Sequence, residues 1–148
     1  PITEMVTGID LVKWQIRIAS GVPLSFTQEE VKIDGCAIEC RINAENPNAN
    51  FRPSCGKISF LHVPGGPWVR FDTALYQDYY VPPFYDSLIG KLIVHAKTRE
   101  EAIRKMQAAL CELVIEGVEH NAELQMDILN DKEFKSGDYY TNLIEKRG

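Results

Sequence analysis

The stretch Cys36-Ala37-Ile38-Glu39-Cys40-Arg41-Ile42-Asn43-Ala44-Glu45 decides the fold. Successive strand side chains point to opposite faces. A period of two therefore turns Cys36, Ile38, Cys40, Ile42 and Ala44 toward a core and leaves Glu39, Arg41, Asn43 and Glu45 on the other face. One apolar and one polar face is the signature of an antiparallel sheet packed on one side only. Arg41 stands in the middle of the polar face, with Glu39 and Glu45 on either side. Two readings stay open. The face is solvated and laced with charge pairs, or the carboxylates hold Arg41 so that its planar fork presents to an oxyanion.

Working outward, the texture from Val31 to Lys97 is strands separated by turn clusters. Asn46 to Asn50 reads as a loop, Lys57 to Val63 as a strand, Pro64-Gly65-Gly66-Pro67 as a hairpin connection, and Trp68 to Leu75 as the next strand. The Pro-Gly segment lacks a following helix and the Lys-Ser/Thr pair of a phosphate loop. Leu88 to Ala96 is an apolar strand. Before it, Tyr76, Tyr79, Tyr80, Phe84 and Tyr85 crowd around Pro82-Pro83 and Asp86. These aromatics suit a sheet edge or an interface, and Asp86 suits either a turn cap or a partner for a nearby Arg.

Toward the N-terminus, Ile9, Val12, Ile16 and Ala19 recur at helical spacing until Gly21-Val22-Pro23. The polar run Ser25 to Glu30 then marks a boundary. Toward the C-terminus, Thr98-x-x-Glu101 predicts a capping box. Ile103, Met106, Leu110, Leu113 and Val114 follow as one apolar stripe, stopped by Gly117. A helix is expected over about His120 to Asn130 with Ala122, Met126 and Leu129 inward, and a short one over Asn142 to Lys146. The fold class is α+β: an antiparallel β-sheet followed by C-terminal helices, preceded by one helix.

The 148 residues match one domain. A hydrophobic share of 45% with 25% charged residues excludes a disordered chain. Sixteen Lys and Arg against 21 Asp and Glu leave a net charge of −5. That sum lacks the basic stripe that displaces counterions from nucleic acid. No run of 18 apolar residues suggests a membrane span. The opening Pro1-Ile2-Thr3-Glu4 has no basic n-region and no apolar h-region, so no secretory leader is expected. A start on Pro within patterned sequence suggests a piece of a longer chain.

On one strand, Cys36 and Cys40 fall ~13 Å apart, past the ~7 Å limit for disulfide-linked Cα atoms. With no C-x-x-C and with His62, His95 and His120 scattered, the residues call for no metal site. Buried, reduced thiols in a reducing compartment are expected of Cys36, Cys40, Cys55 and Cys111. No nucleophile–base pair or nucleotide loop assembles from the sequence.

The order of segments resembles a known family. Thr3-Glu4-Met5-Val6-Thr7-Gly8-Ile9-Asp10-Leu11, Glu39-Cys40-Arg41-Ile42-Asn43-Ala44-Glu45, Pro64-Gly65-Gly66 with Val69-Arg70, Val81-Pro82-Pro83-Phe84-Tyr85-Asp86-Ser87 and Gly90-Lys91-Leu92 are similar to the C-terminal part of biotin carboxylase. The resemblance implies an ATP-grasp enzyme of acetyl-CoA carboxylase and related enzymes. There, ATP and bicarbonate give carboxyphosphate, and CO2 passes to N1′ of biotin on a carrier protein.

By the same resemblance, Arg41 is the catalytic residue, contacting the biotin ureido oxygen and stabilising the enolate formed on N1′ deprotonation. Glu39, Asn43 and Asp86 surround the biotin region, and Arg70, with Trp68 beside it, falls at a dimer contact. Asp78, Trp68 and Cys55 stand where relatives often have Gly, Gly and Pro. Residues 1–24 would be the tail of an ATP-grasp domain and 25–148 the biotin carboxylase C-terminal domain. ATP, Mg2+ and the carboxylate base would be held upstream, so this chain alone is expected to be inactive. The implied partners are the biotin carboxyl carrier protein, a carboxyltransferase and a second copy, in the cytoplasm, for fatty acid synthesis. Two alternatives are the C-terminal domain of another ATP-grasp ligase and a non-catalytic dimerisation module using the Trp68–Tyr85 aromatics.

Overall fold

Two short helices open the chain in the computed structural model, which describes residues 1–144. Helix α1 spans Ile2–Thr7 and α2 spans Leu11–Ala19, where one helix was expected. The break is at Gly8, whose φ of 69° ends α1 in the left-handed region, open to a residue without Cβ. Asp10 then starts α2 by accepting from the Lys13 amide at 2.8 Å, and Glu4 accepts from the Leu11 amide at 2.8 Å. The apolar Val12 and Ile16 of α2 are exposed.

Strand β1 (Cys36–Asn43) is followed by the two-residue pieces β2 (Glu45–Asn46), β3 (Arg52–Pro53) and β4 (Gly56–Lys57). Next come β5 (Phe60–His62), β6 (Val69–Thr73), β7 (Tyr80–Val81) and β8 (Leu88–Ala96). Helix α3 (Arg99–Glu112), β9 (Val114–Glu116), α4 (Ala122–Asn130) and α5 (Lys132–Ser136) complete the order.

The main sheet is antiparallel in the order β1-β8-β6. Its centre is β8, whose Leu92, Ile93 and Val94 have no exposed surface. As the alternation predicts, Ile38, Cys40, Ile42 and Ala44 are buried, and they join Leu92, Val94 and α3 in one core. Helix α3 contributes Ala102, Ile103, Met106, Ala109 and Leu110 to it, with Thr98 capping the helix by accepting from the Glu101 amide at 3.2 Å. A side chain at Gly90 would run into the Phe71 ring, so the middle of β8 needs a residue without Cβ to let β6 close on it. On the opposite face α1 packs against β1 and β8. It covers the row Glu39–Ile93–Arg70 and leaves the next row open.

Three expectations about the strands and their connections differ from the fold. Leu113 and Val114 do not extend the α3 stripe: the helix ends at Glu112, and β9 pairs antiparallel with β5, Leu61 facing Ile115. The β-branched Val114 and Ile115 fit a pleated surface better than a last helical turn. Nor does Pro64–Pro67 close a hairpin. β5 pairs with β9 and β6 with β8, because turn residues encode a reversal and not its partner. The strand expected over Lys57–Val63 is shared between neighbours: the Ile58 amide donates to Tyr79 and the Ser59 amide to Glu116.

Helix α4 keeps Ala122 and Leu129 buried and packs Met126 on the core, as expected. Beyond α5 the described residues hold a 3-10 turn, Thr141–Leu143. The remainder of the helix expected over Asn142 to Lys146 lies outside the described residues from 145 on. All four cysteines are free. Cys40 is buried and Cys36 half-buried, but Cys55 and Cys111 are exposed, against expectation.

Candidate functional site: the open face of the sheet

The row left uncovered by α1 is Arg41–Lys91–Asp72. Arg41 faces Lys91 in the β1–β8 register, and Lys91 faces Asp72 in the β6–β8 register. All three share the face opposite the core. Asp72 belongs to Arg70, which binds it through Nε at 3.1 Å and Nη2 at 2.6 Å. That hydrogen-bonded fork holds the Asp72 carboxyl below its usual range, with Lys91 adding to the effect. Arg41 is different. Among the described residues its exposed guanidinium makes no ion pair and no hydrogen bond to a side chain.

The carboxylates expected to flank Arg41 do not hold it. Glu39 is half-buried beside α1. Glu45 accepts from the Ser87 hydroxyl and, at 3.4 Å, from the Asn43 carboxamide. The structure therefore replaces both sequence readings of Arg41: it is neither charge-paired along the strand nor clamped by carboxylates. It projects from a backbone hydrogen-bonded on both edges, with no side-chain partner among the described residues.

That backbone is held from the far side. Strand β1 is an edge strand, and its ladder with β8 shifts register between Ile42 and Asn43. At this point Asn121, only 6% exposed, lies against the free edge. Its Oδ1 accepts from the Asn43 amide at 2.9 Å, its Nδ2 donates to the Arg41 carbonyl at 3.2 Å, and its own amide donates to the Asn43 carbonyl at 3.2 Å. Gln125, one turn into α4, donates to the same Arg41 carbonyl at 3.3 Å. One residue does the work of a missing strand here.

Asp86 takes the turn-capping alternative. It is exposed, and its Oδ1 accepts from the Leu88 amide at 2.8 Å. It lines a cleft of about 570 Å3 with Asp72, Tyr79, Val81, Tyr85 and Lys91. Lys91 therefore joins this cleft to the Arg41 row. Of the loop aromatics, Tyr79 packs on the core and meets Tyr76 edge-on at 5.2 Å, while Tyr80, Phe84 and Tyr85 are exposed. Trp68 is 67% exposed, leans on the His95 ring at 5.7 Å, and has a φ of 64°. Asp78 takes the left-handed region at φ 71°, which aspartate tolerates better than most residues, and pairs with Lys57 at 2.7 Å. Arg70 is half-buried beside Asp72 and Met5.

Sequence reading missed Lys91 and Asn121 as members of this site. Lys91 was visible as a lone cation in an apolar strand, but only the register sets it opposite Arg41. For Asn121 no local signal existed. It lies 80 residues from Arg41 in the chain. Among the described residues, no group of three or more His, Cys, Asp or Glu side chains converges as a metal site would require.

Fold and site together define an α+β domain with an unpaired, exposed arginine on the open face of its antiparallel sheet. Residues 39–146 match the model of the biotin carboxylase C-terminal domain, and residues 1–27 that of the carbamoyl-phosphate synthase L chain ATP-binding domain. The chain belongs to the biotin carboxylase C-terminal domain family. It is 53% identical over 147 residues to a biotin carboxylase of Haemophilus influenzae, covering 99% of this chain and 33% of the relative. It is 52% identical over 145 residues to biotin carboxylase 1 of Bacillus subtilis, covering 98% and 32%. Among solved structures, the biotin carboxylase subunit of a pyruvate carboxylase superposes with a TM-score of 0.96 at 49% identity, covering 99% of this chain and 33% of that one. The dimeric biotin carboxylase domain of Hydrogenobacter thermophilus 2-oxoglutarate carboxylase, solved with MgADP and bicarbonate, gives 0.96 at 46% identity, covering 99% and 32%. The chain thus spans about a third of the length of the relatives it matches.

Proposed function

We propose that this chain supplies the biotin-facing wall of a biotin carboxylase, with Arg41 as its catalytic residue. The observation that carries the reading is the unpaired Arg41 guanidinium on a strand fixed from both edges. Preorganised donors aimed at developing negative charge lower a barrier because they need no reorganisation during the reaction. The ureido oxygen of biotin is an acceptor of the right kind. Arg41 would bind it and stabilise the negative charge that grows there as N1′ loses its proton. Glu39 and Asn43 flank Arg41 on the same face and shape its surroundings, and Asp86 with Lys91 borders the adjoining cleft.

Biotin enters on its carrier protein, and a carboxyltransferase passes the carboxyl group onward. Mg2+ and ATP are needed by the whole enzyme, and among the described residues no group of three or more His, Cys, Asp or Glu converges to hold a metal ion. No phosphoryl-transfer step is therefore routed through this chain. By itself it neither binds Mg-ATP tightly nor carboxylates biotin, since that chemistry needs cations held around the β- and γ-phosphates.

On this reading residues 1–24 are the tail of an ATP-grasp domain and 25–148 the C-terminal domain. The match of residues 1–27 to a different ATP-binding model supports the division. A second copy docks at Trp68 and Arg70, in keeping with the exposure of Trp68. The enzyme works in the cytoplasm as part of acetyl-CoA carboxylase, feeding fatty acid synthesis. The Haemophilus and Bacillus relatives are named biotin carboxylase and biotin carboxylase 1, whereas others are pyruvate and 2-oxoglutarate carboxylase subunits. Carboxylation of carrier-bound biotin by a full-length protein carrying this sequence, with and without Arg41→Ala, is the test. Near-normal turnover of the variant would overturn the assignment.

A further inference from the structure

We infer that Asn121 is a positioning residue for Arg41. The inference rests on the reading of Arg41 given above and adds a residue that acts through it. Three hydrogen bonds from Asn121 meet the free edge of β1 between Arg41 and Asn43: to the Arg41 carbonyl at 3.2 Å, from the Asn43 amide at 2.9 Å and to the Asn43 carbonyl at 3.2 Å.

The position matters because of the register shift between Ile42 and Asn43. A bulge bends a strand, raises its local twist and re-aims the side chains around it. β8 alone leaves the outer edge of β1 unpaired at this point, and a buried unpaired amide or carbonyl is costly. Asn121 satisfies these groups and fixes the plane of the peptides on either side of Ile42. The direction of the Arg41 Cα–Cβ bond follows from that plane. Asn121 touches no substrate on this account. It sets where the guanidinium can reach.

The choice of an asparagine follows from the geometry. The site must accept from one backbone group and donate to another two residues along, and a carboxamide does both. Aspartate has nearly the same shape but can only accept. It would keep the Asn43 amide and oppose the Arg41 carbonyl with a second oxygen. Gln125, which also donates to the Arg41 carbonyl, supports the clamp from the next turn and cannot reproduce it, because it reaches only one of the two residues.

The experiment uses a full-length protein carrying this sequence, with Asn121→Asp, Asn121→Ala, Arg41→Ala and the Asn121→Asp/Arg41→Ala double variant. Carboxylation of biotin and bicarbonate-dependent ATP hydrolysis without biotin are measured side by side. Misplacing a reacting group by about 1 Å costs on the order of 10²-fold. Asn121→Asp is accordingly expected to lower kcat/KM for biotin by roughly ten- to a hundredfold, while ATP hydrolysis stays within about twofold. Aspartate keeps the shape of the side chain and alanine avoids a buried charge, so with urea unfolding as the check on folding, either variant that folds carries the test. In the Arg41→Ala background Asn121→Asp should have no further effect.

Equal losses in both reactions, full additivity with Arg41→Ala, or no loss in Asn121→Asp would overturn the role of Asn121. The outcome that removes the underlying reading is separate: an Arg41→Ala variant that carboxylates biotin normally.

Discussion

Arg41 and Lys91 stand directly opposite each other on β1 and β8, two cations on one open sheet face with Asp72 the next residue in the row. Like charges facing each other across an antiparallel pair are destabilising. Asp72 relieves Lys91 in part, but it is already held by Arg70 at 2.6 Å. The row therefore keeps an uncompensated positive charge at Arg41 and suits a site that receives an anionic or strongly accepting group.

Removing Arg41 should show how much that charge contributes. Loss of one preorganised donor to an oxyanion typically costs about 10²–10³-fold in rate. Arg41→Ala in a full-length protein is expected to lower biotin carboxylation by this amount. Arg41→Lys should recover only part, because an ammonium does not reproduce the planar two-pronged donor. Steady-state kinetics with carrier-bound biotin is the measurement, and full recovery by lysine would show that charge alone suffices.

Gly117 is a second point of dependence. It joins β9 to α4 at a φ of 105°, and a Cβ there would collide with the carbonyl oxygen of Lys57. The obstacle is backbone and cannot swing away. Gly117→Ala should therefore lower stability by more than about 2 kcal/mol through left-handed strain and overpacking together. Urea unfolding would read this directly, and a midpoint unchanged from the parent would contradict it.

His120, next to the Asn121 clamp, should make the fold sensitive to mild acid. Burial holds its imidazole below the ordinary value, offset in part by its bond to the Ile115 carbonyl and by Glu123 nearby. Nε2 lies 3.2 Å from that carbonyl and Nδ1 accepts from the Ala122 amide at 3.4 Å, an arrangement that assigns the neutral ring with its proton on Nε2. Unfolded, the ring takes a proton near pH 6.5; folded, only at lower pH. Between those two values the unfolded state binds more protons, so stability rises with pH. It levels off above about 6.5 and declines below it. Urea midpoints from pH 5 to 8 in the parent and in His120→Gln would isolate the effect. A variant with the same slope as the parent would assign it elsewhere.

The four thiols should separate by reactivity. Burial, with Glu39 adding to it, pushes the Cys40 thiol up to about 12, and only the thiolate is a good nucleophile. Cys55 and Cys111 are exposed and Cys36 is half-buried. Under native conditions iodoacetamide should label Cys55 and Cys111 first, Cys36 more slowly and Cys40 only on unfolding. Mass spectrometry of a labelling time course would check the order. Early labelling of Cys40 would mean that β1 is not packed as described.

Much of this protein is fixed locally and can be read without a structure. The alternation from Cys36 to Ala44 set the inward face of β1, and the nine apolar-rich residues of β8 match the observed strand end to end. The Thr98 cap and the Ile103, Met106 and Leu110 spacing defined α3 on its sheet. These follow from periods of 2 and 3.6, which act over neighbouring residues. The tertiary structure decided what depends on partners distant in the chain. The segment after Pro64–Pro67 passed over the adjacent strand for β8, and Val114–Glu116 left its helix to pair with β5. The surroundings of Arg41 were settled in the same way. The glutamates beside it in sequence do not pair with it, Glu45 holding Ser87 instead, while Lys91, brought opposite by register, and Asn121, brought to the strand edge by the return of the chain, define how it stands. Sequence neighbours share a face because strand geometry is local. Whether a charge is paired or free depends on which other elements pack beside it, and no local pattern carries that information.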